Sequence, residues 1–500
     1  LNDGWLETSN IVKQSTGGYS VVNFNGGGLR ALGTRTLLGP GAGGVGPLDA
    51  AYVHAGGARL DTSNHTVTVS QNLLAPTGSG VTALPWGGPI TGYLGAPYVA
   101  IRGGGGTGAT AVALFDHSSG TVTGLVLTCP GVDYTSPPDV TLMGGGPGTN
   151  FLGVATIGAN ASGGLTKLGG GTLVLAGTNT YTGVTVVATG TLALNGAQQG
   201  AVTVAAAAVL SGTGIIQGAV AAGGGSAVQP GHLGVAGALT VGGAFFADGA
   251  QVSVLSGGTS ALLRVTGADG LTVPAGTGQL LVNVLNTSLV AGTYTVVDYA
   301  GTLQGGAITN IALQTYPPRA VMYLTNNTAN TSIDLVVVSM ASDAIRWLGV
   351  VDGIWNINTS SNWMTIAGAQ TTAYLQAGSI GDAVVFDDVA VGNFNLTLAT
   401  NVAPASITAS NDLNDYTIAG SFGIGGAGNL TKSGAARLTL ATSNTYAGGT
   451  LVLANTQPQV QKVFDIVKAV PLSEIFRSVQ EADAYLDRIQ KRIVAGDEDD

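Results

Sequence analysis

Leu165-Thr-Lys-Leu-Gly-Gly-Gly-Thr-Leu-Val-Leu-Ala-Gly-Thr-Asn-Thr-Tyr-Thr-Gly-Val-Thr185 returns, without a gap, as Leu430-Thr-Lys-Ser-Gly-Ala-Ala-Arg-Leu-Thr-Leu-Ala-Thr-Ser-Asn-Thr-Tyr-Ala-Gly-Gly-Thr450, identical at more than half the positions. A unit kept twice in one chain points to self-similar modules that stack, because one short coil cannot bury its own apolar side. Within it, Leu-x-Leu and Val-x-Val alternation sends one set of side chains inward and leaves the Thr and small residues outside. Gly at the corners admits positive φ. Asn179-Thr-Tyr181 and Asn444-Thr-Tyr446 fit a corner in which Asn tolerates the left-handed region and stacked Asn side chains hydrogen-bond along the axis. Lys167 and Lys432 read as solvated turn residues, since Lys is rarely buried unpaired.

Composition supports that reading. The 500 residues include 81 Gly, with 9% charged and 45% hydrophobic. Abundant Gly, Val, Thr and Leu favour many short strands and tight turns over helices. Glycine does not fall at every third residue, which excludes collagen, and the apolar content argues against disorder. The length suits several ordinary domains or one elongated solenoid. A net charge of -10 argues against nucleic acid as a partner. Cys129 is the sole cysteine, so neither an intrachain disulfide nor a cysteine metal cluster can form. No apolar run reaches the roughly 20 residues of a spanning helix. The chain begins at Leu1 without a signal segment, so an exported protein is expected here in processed or truncated form.

Four regions follow. Residues 1–162 read as a Gly-rich solenoid start, containing a second repeat: Tyr93-Leu-Gly-Ala-Pro97-Tyr-Val99-Ala-Ile101-Arg-Gly-Gly-Gly105 recurs as Tyr134-Thr-Ser-Pro-Pro138-Asp-Val140-Thr-Leu142-Met-Gly-Gly-Gly146. Each copy is a Pro turn, an alternating strand and a Gly stop. Residues 163–341 hold the first Leu-Thr-Lys unit and a longer β region, with strands expected at Thr172–Leu175, Thr185–Val187, Thr191–Leu194, Ala201–Val204 and Gly214–Gln217. Residues 342–455 open with Trp347 and a loop framed by Trp355 and Trp363. Gly381-Asp-Ala-Val-Val-Phe-Asp-Asp388 follows, and then the second unit. Residues 456–500 differ in kind: roughly a third are charged and Gly nearly vanishes.

The order Leu-Thr-Lys-x-Gly, Leu-x-Leu, Asn-Thr-Tyr-x-Gly and a Thr-rich strand resembles the autotransporter-associated β-strand repeat, also called the passenger-associated transport repeat. The tryptophan loop before Gly-Asp-x-Val-x-Phe-Asp-Asp resembles the leader of a repeat unit in that family. The resemblance covers most of residues 163–455. It implies an exported bacterial passenger whose progressive folding helps drive export, at the outer surface or outside the cell. Members of the family typically end in an outer-membrane β-barrel or a sorting segment; residues 456–500 look like neither.

Chemistry is sparse. His54, His65, His117 and His232 show no metal spacing and read as surface or turn residues. Gly103–Gly108 approaches a phosphate loop but lacks its Lys-Ser/Thr ending and following helix, so it reads as a turn. Asp387 and Asp388 are adjacent and point to opposite faces of a strand, which favours an Asp-rich turn over a shared site. The expectation is no catalytic, cofactor-binding or metal-ligating residue, and no cofactor.

In the tail, Ser473 sits as an N-cap before Ile475, Val479, Ala482, Leu486, Ile489 and Ile493, an amphipathic stripe of coiled-coil phase. It would pair with a partner helix, pack on another helix or cap the solenoid. The expected fold class is therefore all-β, a right-handed parallel β-helix (β-solenoid) with a short α-helical C-terminal tail. The expected function is a non-enzymatic structural or adhesive scaffold, with extracellular polysaccharide or other cell surfaces as partners. Two alternatives stand beside it: a carbohydrate-active β-helix enzyme (polysaccharide lyase or hydrolase), marked by clustered carboxylates with Arg on one sheet face, and a stalk whose tail mediates oligomerisation.

Overall fold

The structure, a computed structural model, describes residues 1–453 apart from 41–44, 147, 232–236, 255, 258, 261, 286–290, 318, 341, 378 and 447–450. The expected helix in 456–500 lies outside the described residues, as does His232. The described chain is all-β, its one helical turn being the 3-10 segment Ile308–Asn310. It forms two compact units, Leu1–Ala341 and Ser342–Asp500.

In the first unit two parallel ladders share the chain between them. One runs through Trp5–Thr8, Gly28–Ala31, Ala58–Asp61, Leu165–Leu168, Thr185–Val187, Val202–Val204 and Ile215–Ala222. The other runs through Arg35–Leu38, Thr66–Val69, Thr172–Leu175, Thr191–Leu194 and Val209–Gly212. The chain visits them in turn, so each coil adds one strand to each ladder. Leu165 pairs with Thr185, Thr185 with Val202 and Val202 with Val220, advances of 20, 17 and 18 residues. Period-two alternation turns one row of each strand inward. Leu173, Leu192, Leu210 and Val228 form such a row in the second ladder and are fully buried. Stacking identical positions is what gives every coil a core that no single coil possesses. The far end of the first ladder closes with antiparallel pairing among Gly292–Ala300, Ser332–Met340 and Ala320–Asn327.

The Tyr-Pro-Val-Gly-Gly-Gly repeat is not a pair of solenoid rungs. The ladders pass directly from Ala58–Asp61 to Leu165–Leu168 and from Thr66–Val69 to Thr172–Leu175. Between them the chain leaves the stack and builds a six-stranded antiparallel sheet. There Tyr98–Arg102 pairs antiparallel with Asp139–Met143, so the two repeat copies face each other. Their glycine stops are reciprocal. A Cβ on Gly146 would lie 2.4 Å from the Tyr93 ring, and one on Gly106 would lie 2.5 Å from the Tyr134 ring. Each buried tyrosine fills the space its partner copy's glycine leaves open, a local two-fold arrangement that accounts for the repetition.

The second unit has its own ladders: Ala344–Trp347, Ile380–Asp387, Pro404–Ser410 and Asn429–Ser433 in one, and Ile354–Trp355, Asn395–Leu398, Tyr416–Ala419 and Leu438–Ala441 in the other. Trp347, Trp355 and Trp363 are fully buried, with Trp363 4.9 Å and 5.2 Å from the other two ring centroids. Phe386 and Tyr416 extend the aromatic core at 5.3 Å. The tryptophan loop is held by Asp352, which accepts from Ile354 N and the Ser360 hydroxyl, and by Asn362 Oδ1, which accepts from Val351 N and Asp352 N.

Gly146→Ala should destabilise the first unit by about 1–3 kcal/mol in thermal or urea unfolding, the range for overpacking a filled site. Adding Tyr93→Ala should restore part of that loss, and strictly additive losses would contradict the reciprocal packing.

Candidate functional site

Lys167 is where the structure departs most sharply from sequence expectation. It is not solvated but fully buried. Its neighbours in register are Leu60 and Val187, both core residues, because it lies two positions from Leu165 and shares its inward face. The ammonium reaches the turn beyond the strand. There it donates to Thr62 Oγ1 (3.1 Å) in the preceding coil, to Leu168 O (3.2 Å) and Gly169 O in its own, and to Thr189 O (2.9 Å) in the next. One cation thus joins three successive coils. Burial holds its pKa down to about 8 despite the Asp61 charge nearby. Gly190 makes room for it, since a Cβ there would stand 2.7 Å from Nζ. Lys432 repeats the arrangement in a half-buried form, donating to Ser433 O (2.6 Å) and Gly434 O (2.9 Å). Gly169 and Gly434 take φ of +80° and +83°, so the glycine of Lys-x-Gly turns its carbonyl back toward the lysine.

The Asn-Thr-Tyr corner also works differently from the expectation. Neither Asn179 nor Asn444 has positive φ. Instead Asn179 Oδ1 accepts from Leu73 N, and Asn444 Oδ1 accepts from Ile424 N, each in the coil below. Tyr181 is buried with its hydroxyl between Thr185 (2.6 Å) and Gln198 (3.0 Å). These contacts lock register through backbone rather than through an asparagine stack.

The remaining chemistry-bearing residues are distributed. Asp388 accepts from Asp412 N, Leu413 N and Asn414 N, while Asp387 accepts from Val389 N and stands 3.5 Å from Arg346. Both are absorbed in turn structure. Gly103–Gly108 leads into the strand Thr110–Asp116. His117 is exposed, its ring 4.8 Å from Phe115. Among the described residues no group of three His, Cys, Asp or Glu side chains could hold a metal ion.

His54 is the exception to the surface reading of the histidines: it is fully buried. Its Nε2 lies 3.1 Å from Asn23 Oδ1 and 3.5 Å from Cys129 Sγ. A cysteine, a histidine and an asparagine beside a cavity of about 320 Å3 invite comparison with a thiol nucleophile. The geometry does not serve one. Nε2 must donate to the Asn23 carbonyl oxygen, so the nitrogen facing the thiol carries the proton and cannot act as its base. Burial lowers the His54 pKa to about 4 and raises that of Cys129, which keeps both groups neutral.

One outward face does gather charged and aromatic groups. Trp5, Gly28 and Arg59 stand side by side across three rungs, as do Glu7, Arg30 and Asp61 in the next outward row. Arg30 donates to Glu7 Oε1 (2.8 Å) and Asp61 Oδ2 (2.9 Å). Its guanidinium carbon is 5.2 Å from the Trp5 ring centroid, and that of Arg59 is 5.0 Å. Sequence reasoning missed this cluster because the coils that bring it together differ in length, 23 residues from Trp5 to Gly28 and 31 from Gly28 to Arg59.

Residues 165–194 and 430–454 match the family model of the passenger-associated transport repeat. The resemblance seen in the sequence is thereby borne out, and the chain carries two of these repeats. The first match spans one whole coil and the start of its successor, and the structure pairs the one with the other: Leu165 with Thr185, Thr172 with Thr191. The repeat family is linked to autotransporter passengers rather than to catalysis. No curated protein matches this chain.

Lys167→Met should cost about 1–3 kcal/mol in chemical unfolding, because Thr189 O loses its donor in a buried turn. Lys432→Met, at a half-buried site, should cost under about 1 kcal/mol; equal effects would contradict the burial argument. Acid sensitivity has a separate source. His54 is harder to protonate folded (about 4) than unfolded (6.5), so the unfolded chain binds more protons between those values. Stability of the first unit should therefore fall as pH drops from about 6.5 to 4. His54→Gln should flatten that part of the stability–pH curve, measured by denaturant midpoints.

Proposed function

We propose that the protein is an exported, passenger-type β-solenoid acting as a structural or adhesive scaffold at the bacterial surface or outside the cell. The paired ladders are read as faces of right-handed parallel β-helices, the hand expected when parallel strands are joined by crossovers. The observation that carries the reading is the self-pairing of the matched repeat: the coil 165–184 is the template on which 185–201 stacks, register for register. Such a coil extends by repetition and presents its outward rows to whatever lies outside. Its chemistry is surface contact, not turnover. Extracellular polysaccharide or other cells are the proposed partners.

A second reading, a polysaccharide lyase or hydrolase, gains support from the outward cluster of Glu7, Asp61, Arg30 and Arg59, which meets the mark set for it. Against it stands the pairing within that cluster. Both carboxylates accept from Arg30, which favours their ionised forms and leaves neither suited to act as a proton donor at neutral pH.

Residues 1–455 should retain polysaccharides or whole cells in a pull-down while releasing no new reducing or unsaturated ends from a polysaccharide panel. Release of such ends, abolished by Glu7→Gln or Asp61→Asn, would replace the scaffold reading with the enzymatic one.

A further inference from the structure

We infer that the outward face of the first rungs, built on Trp5 and Arg59, is a binding site for an acidic polysaccharide whose sugars carry carboxylates. The inference rests on the scaffold reading and names what that scaffold contacts.

Three observations converge. The first is the seat of Trp5. A Cβ on Gly28 would lie 2.5 Å and 2.7 Å from two carbons of the indole six-membered ring, so the ring occupies the gap the glycine leaves between the first and third rungs. Held there, Trp5 still exposes 38% of its surface, an aromatic that the fold fixes yet leaves open to solvent. The second is the imbalance of charge beside it. Arg30 is committed to Glu7 and Asp61. Arg59 has no carboxylate within 4 Å among the described residues. Its Nε is buried without a hydrogen-bond partner, and Nη2 makes only a 3.5 Å contact to Gly4 O. A chain with 17 Lys and Arg against 27 Asp and Glu has carboxylates to spare, so an uncompensated guanidinium next to an exposed indole is a departure from its own rule. The third is spacing. Adjacent rungs lie about 4.8 Å apart, so Trp5 and Arg59, two rungs distant, span about 10 Å, room for two sugar units laid along the ladder.

The chemistry of each group selects the ligand. An indole face packs against the C–H face of a pyranose ring and is amphipathic enough to do so at a wet surface. A guanidinium fork takes a carboxylate through two parallel N–H···O bonds. A neutral glycan would use only the indole. A nucleic acid would need a row of free cations, and this face offers one. A sugar stacked on Trp5 with its neighbour's carboxylate on Arg59 uses both.

The test is calorimetric titration of the full chain with oligogalacturonate, with a neutral galactan oligosaccharide and dextran sulfate as comparison arms. Oligogalacturonate should bind at least tenfold more tightly than the neutral sugar, and more weakly as salt rises. Arg59→Gln should weaken it at least tenfold and Arg59→Lys by less. Trp5→Ala should weaken it similarly, while Trp5→Phe keeps part of the affinity if the ring is the contact. Circular-dichroism melts establish that each variant is folded. Unchanged affinity in folded Arg59→Gln and Trp5→Ala would overturn the site, as would equal affinity for the neutral sugar. Preference for dextran sulfate over oligogalacturonate would overturn the carboxylate assignment. Oligomers that bind and are shortened would sink the scaffold reading while leaving the site standing; oligomers neither bound nor shortened would sink the site alone.

Discussion

The fold depends on one cation placed where an apolar side chain would be expected. Lys167 occupies the inward row between Leu60 and Val187, and its ammonium draws together acceptors from three consecutive coils. A parallel stack saturates its strands by pairing, but where a coil turns off the ladder its carbonyls face inward with nothing beneath them. Leaving such groups unmet costs about 1–3 kcal/mol each. A lysine stem long enough to cross the core edge, ending in three donors, meets several at once. The Gly of Lys-x-Gly then follows as a geometric requirement, since its positive φ aims the carbonyl back at the cation. Leu-Thr-Lys-x-Gly is in this sense a single device for ending one strand and fixing the start of the next.

The two repeats in the chain show two ways of using repetition. Leu165–Thr185 repeats by translation, each coil laid on the last. Tyr93–Gly105 and Tyr134–Gly146 repeat by facing, each copy supplying the ring that its partner's glycine accommodates. Similarity between segments looks the same in both cases. Only pairing direction separates them, and that is a property of the turns between copies rather than of the copies.

Much of the ladder was legible in the residues. Thr172–Leu175, Thr185–Val187 and Thr191–Leu194 fall where alternation placed them, and the strand expected at 214–217 is the start of Ile215–Ala222. The lysine was misread although the signal was present: counting by twos from Leu165 puts Lys167 on the inward face, and general expectations about buried lysine overrode the count. The asparagines were placed at the right corners with the wrong mechanism, because the Asn179 amide reaches a backbone N–H more than a hundred residues away in sequence. The outward cluster of Trp5, Arg30 and Arg59 was out of reach, since unequal coil lengths hide which residues become neighbours.

The antiparallel module between Val69 and Leu165 has a kinetic consequence. Elsewhere in the first ladder a strand meets its successor after about twenty residues, but Ala58 must wait 107 residues for Leu165. During synthesis the early rungs present an unpaired edge for that whole interval, a surface open to mispairing. Bringing such distant segments together also carries a loop-closure cost that nearby coils do not bear, and long-range pairing of this kind slows folding. A module that folds on its own between the two strands shortens the effective loop by holding its ends close, as the Ser79–Ala83 and Thr156–Ala159 pair does at its base. The insertion thereby sets the moment at which the rest of the stack can begin to grow.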